Sequence, residues 1–266
     1  MASEACFEMA LSMQEASAGE LVMDSGYYAA YSALLARTEA MDAASSNLAN
    51  ANTSGYRAQR EYFRDAVAGE GAADSQLNGA VNRYGVLGGD QIDLGQGALV
   101  KTGNATDVAI QGQGFFAVKT IHGERYTRDG SFQRSKDGML VDSAGDAVLD
   151  AAHKPITMPN GTIAVGTDGA VSVDGGVVDQ LGVFVAPATQ LIPEGADEYR
   201  VNDVRTLKPS QDYSIAQGEL EGSNQNIVSG SLQLMLIQRQ AEMMQKALSV
   251  FHNDFDRAAS EDLPKV

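Results

Sequence analysis

Cysteine, tryptophan and proline are scarce in this chain of 266 residues, which has one cysteine, no tryptophan and six prolines. The single Cys6 excludes a disulfide within the chain and any metal site built from paired cysteines. No run of about eighteen apolar residues occurs, so the sequence predicts no membrane insertion through a helix. Residues 1–22 lack lysine and arginine and therefore do not resemble a cleaved secretion signal. If the protein leaves the cytoplasm, we expect a different export route.

Positive charge is also scarce, because 19 lysines and arginines face 35 aspartates and glutamates, giving a formal net charge of −16. Proteins that bind nucleic acid or anionic membranes present clustered basic side chains to phosphate groups. The composition therefore argues against a nucleic-acid partner and against adhesion to such membranes. We interpret the acidity mainly as a source of solubility.

What the chain does contain is a long amphipathic segment near its C-terminus, residues 227–255. Its apolar residues recur at alternating steps of three and four, the heptad spacing of a helix that packs along one side. Polar residues from Gln238 to Asp254 occupy the positions between them. The residues of this C-terminal heptad stripe are Leu234, Ile237, Ala241, Met244, Leu248, Phe251 and Phe255.

A second heptad stripe, between about residues 26 and 50, supplies a partner for the first. Tyr27, Leu34, Met41 and Leu48 are seven residues apart, and the many alanines between them favour a helix that approaches its neighbour closely. Turn-forming residues from Asn50 onward end this helix. The two terminal stripes therefore predict a coiled coil that holds the rest of the chain as an insertion.

The N-terminal helix also carries a secondary stripe made of Tyr28, Tyr31 and Leu35. One interpretation is ordinary packing within the chain. The other is that more than one side of the helix is buried, which requires partners beyond the C-terminal helix, as in a bundle or an assembly. A monomer would bury these three side chains, whereas an assembly subunit would expose them when isolated.

The middle of the chain changes to a period of two from Gln91 and contains frequent turn signals. Four Asp-Gly pairs, beginning at residues 129, 137, 168 and 174, suit the positive φ of hairpin turns. The predicted strands are Asp107–Ile110, Phe115–Thr120, Glu124–Thr127, Ser131–Arg134, Met139–Val141, Thr162–Val165, Ala170–Val173 and Gln180–Val185.

The fold class predicted from these patterns is α+β, with terminal heptad helices forming a coiled coil around a central antiparallel all-β domain. The predicted divisions are a disordered extension (1–22), an N-terminal assembly helix with its turn (23–55), an extended connector (56–90), the β-domain (91–217), a C-terminal assembly helix (218–260) and a tail (261–266).

Three patterns could carry chemistry, and each has a plainer interpretation. The sequence Gly112-Gln-Gly-Phe-Phe-Ala117 fits a relaxed dinucleotide fingerprint, but strand residues follow where that fingerprint needs a helix. Asp142, Asp146 and Asp150 could hold a cation on a helix, yet the surrounding turn residues favour a solvated hairpin. The three histidines lack catalytic or metal-binding spacing. The sequence therefore predicts no enzyme, no cofactor and no metal site.

Four segments, in order, resemble the motifs of the bacterial flagellar rod and hook proteins. The resemblance as a whole runs from Met23 to about Ala258, which is nearly the whole chain. Departures are the unmatched residues 1–22, Gln225 after Asn224, and Gln240-Ala241 after Gln238-Arg239. The segments are Ser46-Asn-Leu-Ala-Asn50 with Asn52-Thr-Ser-Gly-Tyr-Arg57, Ala109-Ile-Gln-Gly-Gln-Gly-Phe-Phe116, Arg125-Tyr-Thr-Arg-Asp-Gly-Ser-Phe132 and Gly218-Glu-Leu-Glu-Gly-Ser-Asn224.

This resemblance implies a structural subunit of the flagellar basal-body rod, which crosses the periplasm and transmits torque from motor to hook. It implies export through the flagellar type III apparatus and assembly with other copies and with neighbouring rod proteins. The length suits the larger rod subunits, and the start at Met23-Asp-Ser-Gly26 with the spare β-domain favours the proximal over the distal type. The alternative is a soluble monomeric β-domain that binds a ligand and is closed by its own coiled coil.

The expected assembly interface combines the helical stripes with the asparagines of the first motif. Its residues are Tyr27, Tyr28, Tyr31, Leu34, Leu35, Met41, Asn47, Leu48, Asn50, Leu234, Ile237, Ala241, Met244, Leu248, Phe251 and Phe255.

Overall fold

The computed structural model describes residues 31–65, 85–195 and 197–261. A helix at residues 31–49 (α1) precedes the strands, and the helix Ile227–Glu261 (α2) follows them. All registered strand pairs are antiparallel, which confirms the α+β class with a central antiparallel β-domain. Residues 1–22, Tyr27, Tyr28, positions 66–84 of the predicted connector, and the side chains of Phe251 and Phe255 lie outside the described part.

The strands are short, and two of them occupy the predicted connector. In chain order they are β1 Gln59–Asp65, β2 Gly85–Ile92, β3 Leu99–Lys101, β4 Val108–Gly112, β5 Phe115–Thr120, β6 Gly123–Thr127, β7 Gln133–Arg134, β8 Leu140–Val141, β9 Ala147–Val148, β10 Ile163–Val165, β11 Ala170–Val173, β12 Gly176–Gln180, β13 Val183–Val185, β14 Leu191–Pro193, β15 Glu198–Val201, β16 Lys208–Pro209, β17 Tyr213–Gln217 and β18 Glu219–Glu221. Single 3₁₀ turns lie at Ala188–Gln190 and Val204–Thr206.

The described residues divide into two compact units. The helical unit contains residues 31–43, 61–65, 85–89 and 232–261. The β unit contains residues 44–60, 90–195 and 197–231. The end of α1 and the first residues of α2 therefore belong to the β unit.

Strand β5 is the centre of the β unit. The largest sheet runs β14-β15-β6-β5-β9-β8-β7, and β13 pairs with β5 and β16. Both faces of β5 are buried, because Phe116 and Val118 enter one apolar cluster while Phe115 and Ala117 enter another. A continuous Phe-Phe-Ala-Val run, without the alternation of a half-exposed strand, is the pattern expected for such a central position.

Smaller sheets surround this centre. Strand β11 lies between β10 and β12, while β17 pairs with β4, β18 with β3, and β1 with β2. Strands β17 and β18, the last two in the chain, return to β4 and β3, with Glu221 opposite Leu99 and Gln217 opposite Val108. The last strands therefore pair with strands that lie more than 100 residues earlier in the chain.

The Asp-Gly pairs behave as predicted at three of four positions. Gly138, Gly169 and Gly175 have φ of +82°, +83° and +84°, and Asp174 is also left-handed at +50°. Two successive positive φ values between β11 and β12 give the tight turn that suits a two-residue hairpin. The prediction was wrong for Asp129-Gly130, since neither residue has a positive φ. Instead, an added Cβ at Gly130 would lie 1.7 Å from the carbonyl oxygen of Val108. That glycine permits close packing of two backbones.

The predicted strand Gln180–Val185 is interrupted. Strand β12 ends at Gln180 and β13 begins at Val183. Between them, Gly182 lies against the backbone of Asp150, where a Cβ would be 2.4 Å from the carbonyl oxygen. This close approach separates two strands that belong to different sheets.

Candidate functional site

A buried cluster of charged side chains joins three of the four motif segments inside the β unit. The guanidinium of Arg57 lies 2.7 Å from Oε1 of Glu221, and that of Arg128 lies 3.0 Å from Oε2. These side chains are almost completely shielded from solvent. We refer to Arg57, Arg128 and Glu221 as the charge cluster. One carboxylate serves two arginines, so the cluster retains one buried positive charge.

Backbone atoms compensate part of the cost of burying the charge cluster. The amide of Gly97 donates to Glu221 at 2.7 Å, and Arg57 donates to the carbonyl oxygen of Gly95 at 2.8 Å. Arg128 donates to the carbonyl of Gly112 at 2.6 Å, and so contacts the second motif segment as well. Burial lowers the pKa of Arg128 to about 10, and the attraction of Glu221 opposes that shift.

Two asparagines hold the strand that follows the first motif. Asn47 accepts the amide of Gln59 and donates to the Gln59 carbonyl, both at 2.8 Å, so its side chain imitates a neighbouring strand. The hydroxyl of Tyr56 also donates to the side-chain oxygen Oδ1 of Asn47. On the other side, Asn224 accepts the amide of Ala58 and donates to the carbonyl of Asp93. The asparagines of the first and last motifs therefore fix residues 56–59.

Gly55 completes this arrangement, because it has φ of +72° and an added Cβ would lie 2.2 Å from the amide nitrogen of Asp129. Its own amide donates to the carbonyl of Glu221 at 2.7 Å. The motif segments that carry the resemblance thus meet at one place. The sequence predicted the segments but not their junction.

From Leu234 to Leu248, the C-terminal heptad stripe lies on the buried side of α2 in the helical unit. Ile237 and Ala241 are buried, and Leu234, Met244 and Leu248 are half-buried. This burial agrees with the predicted amphipathic direction. In the part of α1 that belongs to the helical unit, residues 31–43, the buried residues are Ala36, Ala40 and Ala43, whereas Leu34 and Met41 of the predicted stripe are only half-buried.

The opposite side of α2 is not simply polar, as the sequence had suggested. Leu232, Leu236, Met243 and Val250 are each more than half exposed. With Arg239 and Lys246 they repeat at steps of four and three, which places them along one line of the helix. We call these six residues the outer face of α2. The heptad spacing of its apolar members was the signal that could have identified it.

The outer side of α1 also exposes apolar residues. Tyr31 and Leu35, from the predicted secondary stripe, are 55% and 52% exposed. Thr38 and Asp42 continue the same line at steps of three and four, and Glu39 lies beside it. We call these five residues the outer face of α1.

The remaining interface residues lie in the β unit. Asn47 is buried and bonded as described above, and Asn50 bonds its own helix end by donating to the carbonyl of Ser46. Leu48 is half-buried, with Gly230 of α2 nearby: a Cβ added at Gly230 would lie 3.6 Å from it. Both asparagines therefore already have partners within the chain.

The patterns that could carry chemistry have structural roles. Gly112 and Gly114 adopt positive φ and lead into strand β5, as the turn interpretation predicted. Carboxylate oxygens of Asp142, Asp146 and Glu198 lie within 4.8 Å of one another, so Asp142 and Asp146 do meet. Asp150 instead accepts the amides of a separate turn. Asp142 likewise accepts the amide of Asp146 and closes its own turn.

Burial raises the pKa of Asp146 and Glu198, and neighbouring carboxylates reinforce that shift. His153 bonds Glu124 at 3.1 Å and stacks on Phe184 at the surface. Neither α1 nor α2 contains a stretch that is apolar and long enough to cross a lipid bilayer.

Comparison with known proteins places these features in a family. The flagellar hook protein FlgE/F/G D1 domain matches residues 109–173, and the flagella basal body rod protein family matches residues 28–57. The rod protein FlgF of Mesorhizobium japonicum is 35% identical over 83% of this chain and 90% of its own length. FlgF of Caulobacter vibrioides is 34% identical over 92% of this chain and 100% of its own length.

A relative of the second rod type is also similar. The rod protein FlgG of Bacillus subtilis is 32% identical over 73% of this chain and 78% of its own length. The two matched segments contain Asn47, Arg57 and Arg128, which take part in the junction and the charge cluster. The chain therefore belongs to the flagellar basal-body rod protein family, and it is a structural subunit of the flagellar basal body and not an enzyme.

Proposed function

We propose that this subunit assembles through α1 and α2 with other copies of itself and with neighbouring rod proteins. The observation that carries the proposal is the exposure of apolar residues along the outer faces of both terminal helices. Exposed apolar residues aligned on one side of a long helix are costly in water unless another surface covers them. A helical array built from such contacts transmits torque from motor to hook.

Within each subunit, we propose that the buried sides of α1 and α2 form the predicted coiled coil. The small residues Ala36, Ala40 and Ala43 on α1 permit a close approach, and Ile237 with Ala241 supplies an apolar surface of suitable width. The outer faces then remain for neighbours. In this proposal Asn47 and Asn50 support the interface indirectly, by fixing the end of α1. The apolar residues of the predicted stripes pack in the coiled coil or along its edges. These residues are Leu34, Met41, Leu48 and the C-terminal heptad stripe.

We also propose that the unfolded chain is exported through the flagellar type III apparatus, as the family resemblance implies. We further propose that this chain is a rod subunit of the proximal type. Three relatives named FlgF are 31 to 35% identical over 83 to 92% of this chain, whereas FlgG of Borreliella burgdorferi is 28% identical over 85% of it. A monomeric ligand-binding role is disfavoured, since a monomer closed by its own coiled coil should bury Tyr31 and Leu35.

Replacement of one outer-face residue tests the proposal. In cells that lack the chromosomal gene, full-length protein with Leu236→Asp should fail to restore swimming, because a carboxylate would have to be desolvated in the helix contact. Basal bodies from these cells should stop before the hook. Swimming through soft agar and electron microscopy of basal bodies measure the two outcomes.

Val177→Asp is the matched control, since Val177 is 75% exposed on β12 of the β unit. This variant should swim as the unaltered protein does. Normal swimming with Leu236→Asp would contradict assembly through the outer face of α2. Normal flagella in the deletion strain itself would contradict the role of this chain in the rod.

A further inference from the structure

We propose that the outer face of α1 in one subunit binds the outer face of α2 in the next copy, through opposite charges set among apolar residues. This inference rests on the proposed assembly function and specifies which two surfaces meet. It concerns only contacts between copies of this chain.

The outer face of α2 is apolar and basic. Its line of six contains four apolar side chains and two cations, Arg239 and Lys246. Neither cation forms an ion pair with another residue in the described part of the chain. A basic surface is unexpected in a protein whose formal net charge is −16. Glu242, one position from Met243, is the one acidic residue nearby on this exposed segment of 232–250.

The outer face of α1 is apolar and acidic. Tyr31 and Leu35 precede the exposed carboxylates Glu39 and Asp42, which also have no ion-pair partner among the described residues. Arg37, the basic residue of this helix between 31 and 49, is half-buried at the flank rather than on the exposed line. The two outer faces therefore offer the same kind of apolar surface but opposite charge.

Charge decides between the possible pairings. A contact between two α2 outer faces would bring Arg239 and Lys246 of both copies together, and a contact between two α1 outer faces would bring together Glu39 and Asp42. Each like pairing is penalised, whereas the mixed pairing matches charges. A single exposed ion pair contributes little binding free energy, so the apolar residues supply affinity and the charges supply selectivity.

The mixed pairing also has the right symmetry. Two different surfaces meet in a head-to-tail contact, which leaves one free α1 face and one free α2 face at the ends of any row of copies. Such a contact repeats without closing on a dimer. A rod needs this property, and neither like pairing provides it.

Charge reversal tests the pairing. One variant carries Glu39→Lys and Asp42→Lys, and a second carries Arg239→Glu and Lys246→Glu. Each should reduce the number of complete basal bodies per cell at least tenfold when it is the only copy, because its two outer faces now have the same charge. The protein carrying all four changes should restore assembly, since opposite charges face each other again.

Co-production of the two variants separates contacts between copies from contacts within one chain. In a row in which the two variants alternate, the basic α1 outer face of the first variant meets the acidic α2 outer face of the second. The unchanged acidic α1 outer face of the second variant meets the unchanged basic α2 outer face of the first. Assembly should therefore return in the mixture if the faces belong to different copies. A mixture that stays defective while the fourfold variant works would overturn the inference in favour of a contact within one chain.

Lys101→Glu with Lys208→Glu is the control for the second variant, since it makes the same charge change at two exposed lysines of the β unit and should leave assembly normal. If either reversed protein fails to accumulate, the corresponding alanine pairs replace it, with a smaller expected loss. Normal assembly of both reversed variants would refute the paired faces while leaving the rod function intact. Loss that the fourfold variant does not repair would refute them as well, and would indicate a different rod protein as the partner.

Discussion

At the scale of single residues, the charge cluster gives the buried charged residues of three motif segments a common role in this chain. Glu221 is separated from Arg128 by 93 residues along the chain, and neither segment predicts the contact on its own. A buried carboxylate between two guanidiniums is not expected to add much stability compared with apolar residues of the same size. Loss of a single member is nevertheless costly, because the remaining members stay charged and buried without their partner.

Glu221→Gln should therefore destabilise the β unit by about 3–5 kcal/mol, since it leaves Arg57 and Arg128 without a counter-charge. Urea unfolding followed by tyrosine fluorescence or circular dichroism measures the loss. Glu219→Gln, two residues earlier and half-buried, is the control and should stay within about 0.5 kcal/mol of the unaltered protein. A loss below about 1 kcal/mol for Glu221→Gln would show that the arginines find other partners.

At the scale of elements, the two sides of α2 are expected to have separate functions. Ile237 is buried and its neighbour Leu236 is exposed, although both are large apolar residues of one helix. The buried side stabilises the helical unit, and the outer face is available for assembly. Neighbouring positions on one helix thus allow the two functions to be tested independently.

Ile237→Ala should lower the free energy of unfolding of the helical unit by about 2–4 kcal/mol, because it removes buried methylene groups and leaves a cavity. Leu236→Ala should change that free energy by less than about 0.5 kcal/mol and yet reduce rod assembly. Thermal unfolding monitored by helical circular dichroism gives the first quantity, and counts of complete basal bodies give the second. Equal destabilisation by both changes would mean that α2 has no free outer face.

A comparison of predicted and observed strands shows which elements can be predicted from the sequence. Strands Phe115–Thr120 and Ala170–Val173 have the predicted bounds, because turn residues flank short runs of strand formers. Strands β14 to β18 were not predicted, since they are short and partly exposed, and β14 and β16 both contain proline. Their pairing depends on distant strands, such as β17 on β4. The outer face of α2 was missed because two cations interrupt its apolar residues.

At the scale of the whole molecule, several carboxylates of the β unit lie close enough together to raise one another's pKa. Burial, with the charges of Asp129 and Asp142, raises the pKa of Asp197 to about 6. Burial also raises the pKa of Glu198, Asp129 and Asp146. Arg125 partly offsets the shift at Glu198. Folding therefore holds several carboxylates at a higher pKa than the unfolded chain does.

The direction of the pH effect follows from proton uptake. Between the unfolded carboxyl pKa of about 4 and the folded value of about 6 for Asp197, the folded state binds more protons than the unfolded state. Unfolding free energy should rise as pH falls from 7 to 5, and this stabilisation is lost as pH rises through 6. The urea midpoint of the purified protein at several pH values measures the effect. Asp197→Asn should flatten the profile, because it removes the carboxyl group whose pKa is raised to about 6 in the folded protein. A urea midpoint that decreases as the pH falls from 7 to 5 would contradict the raised pKa of Asp197 in the folded protein.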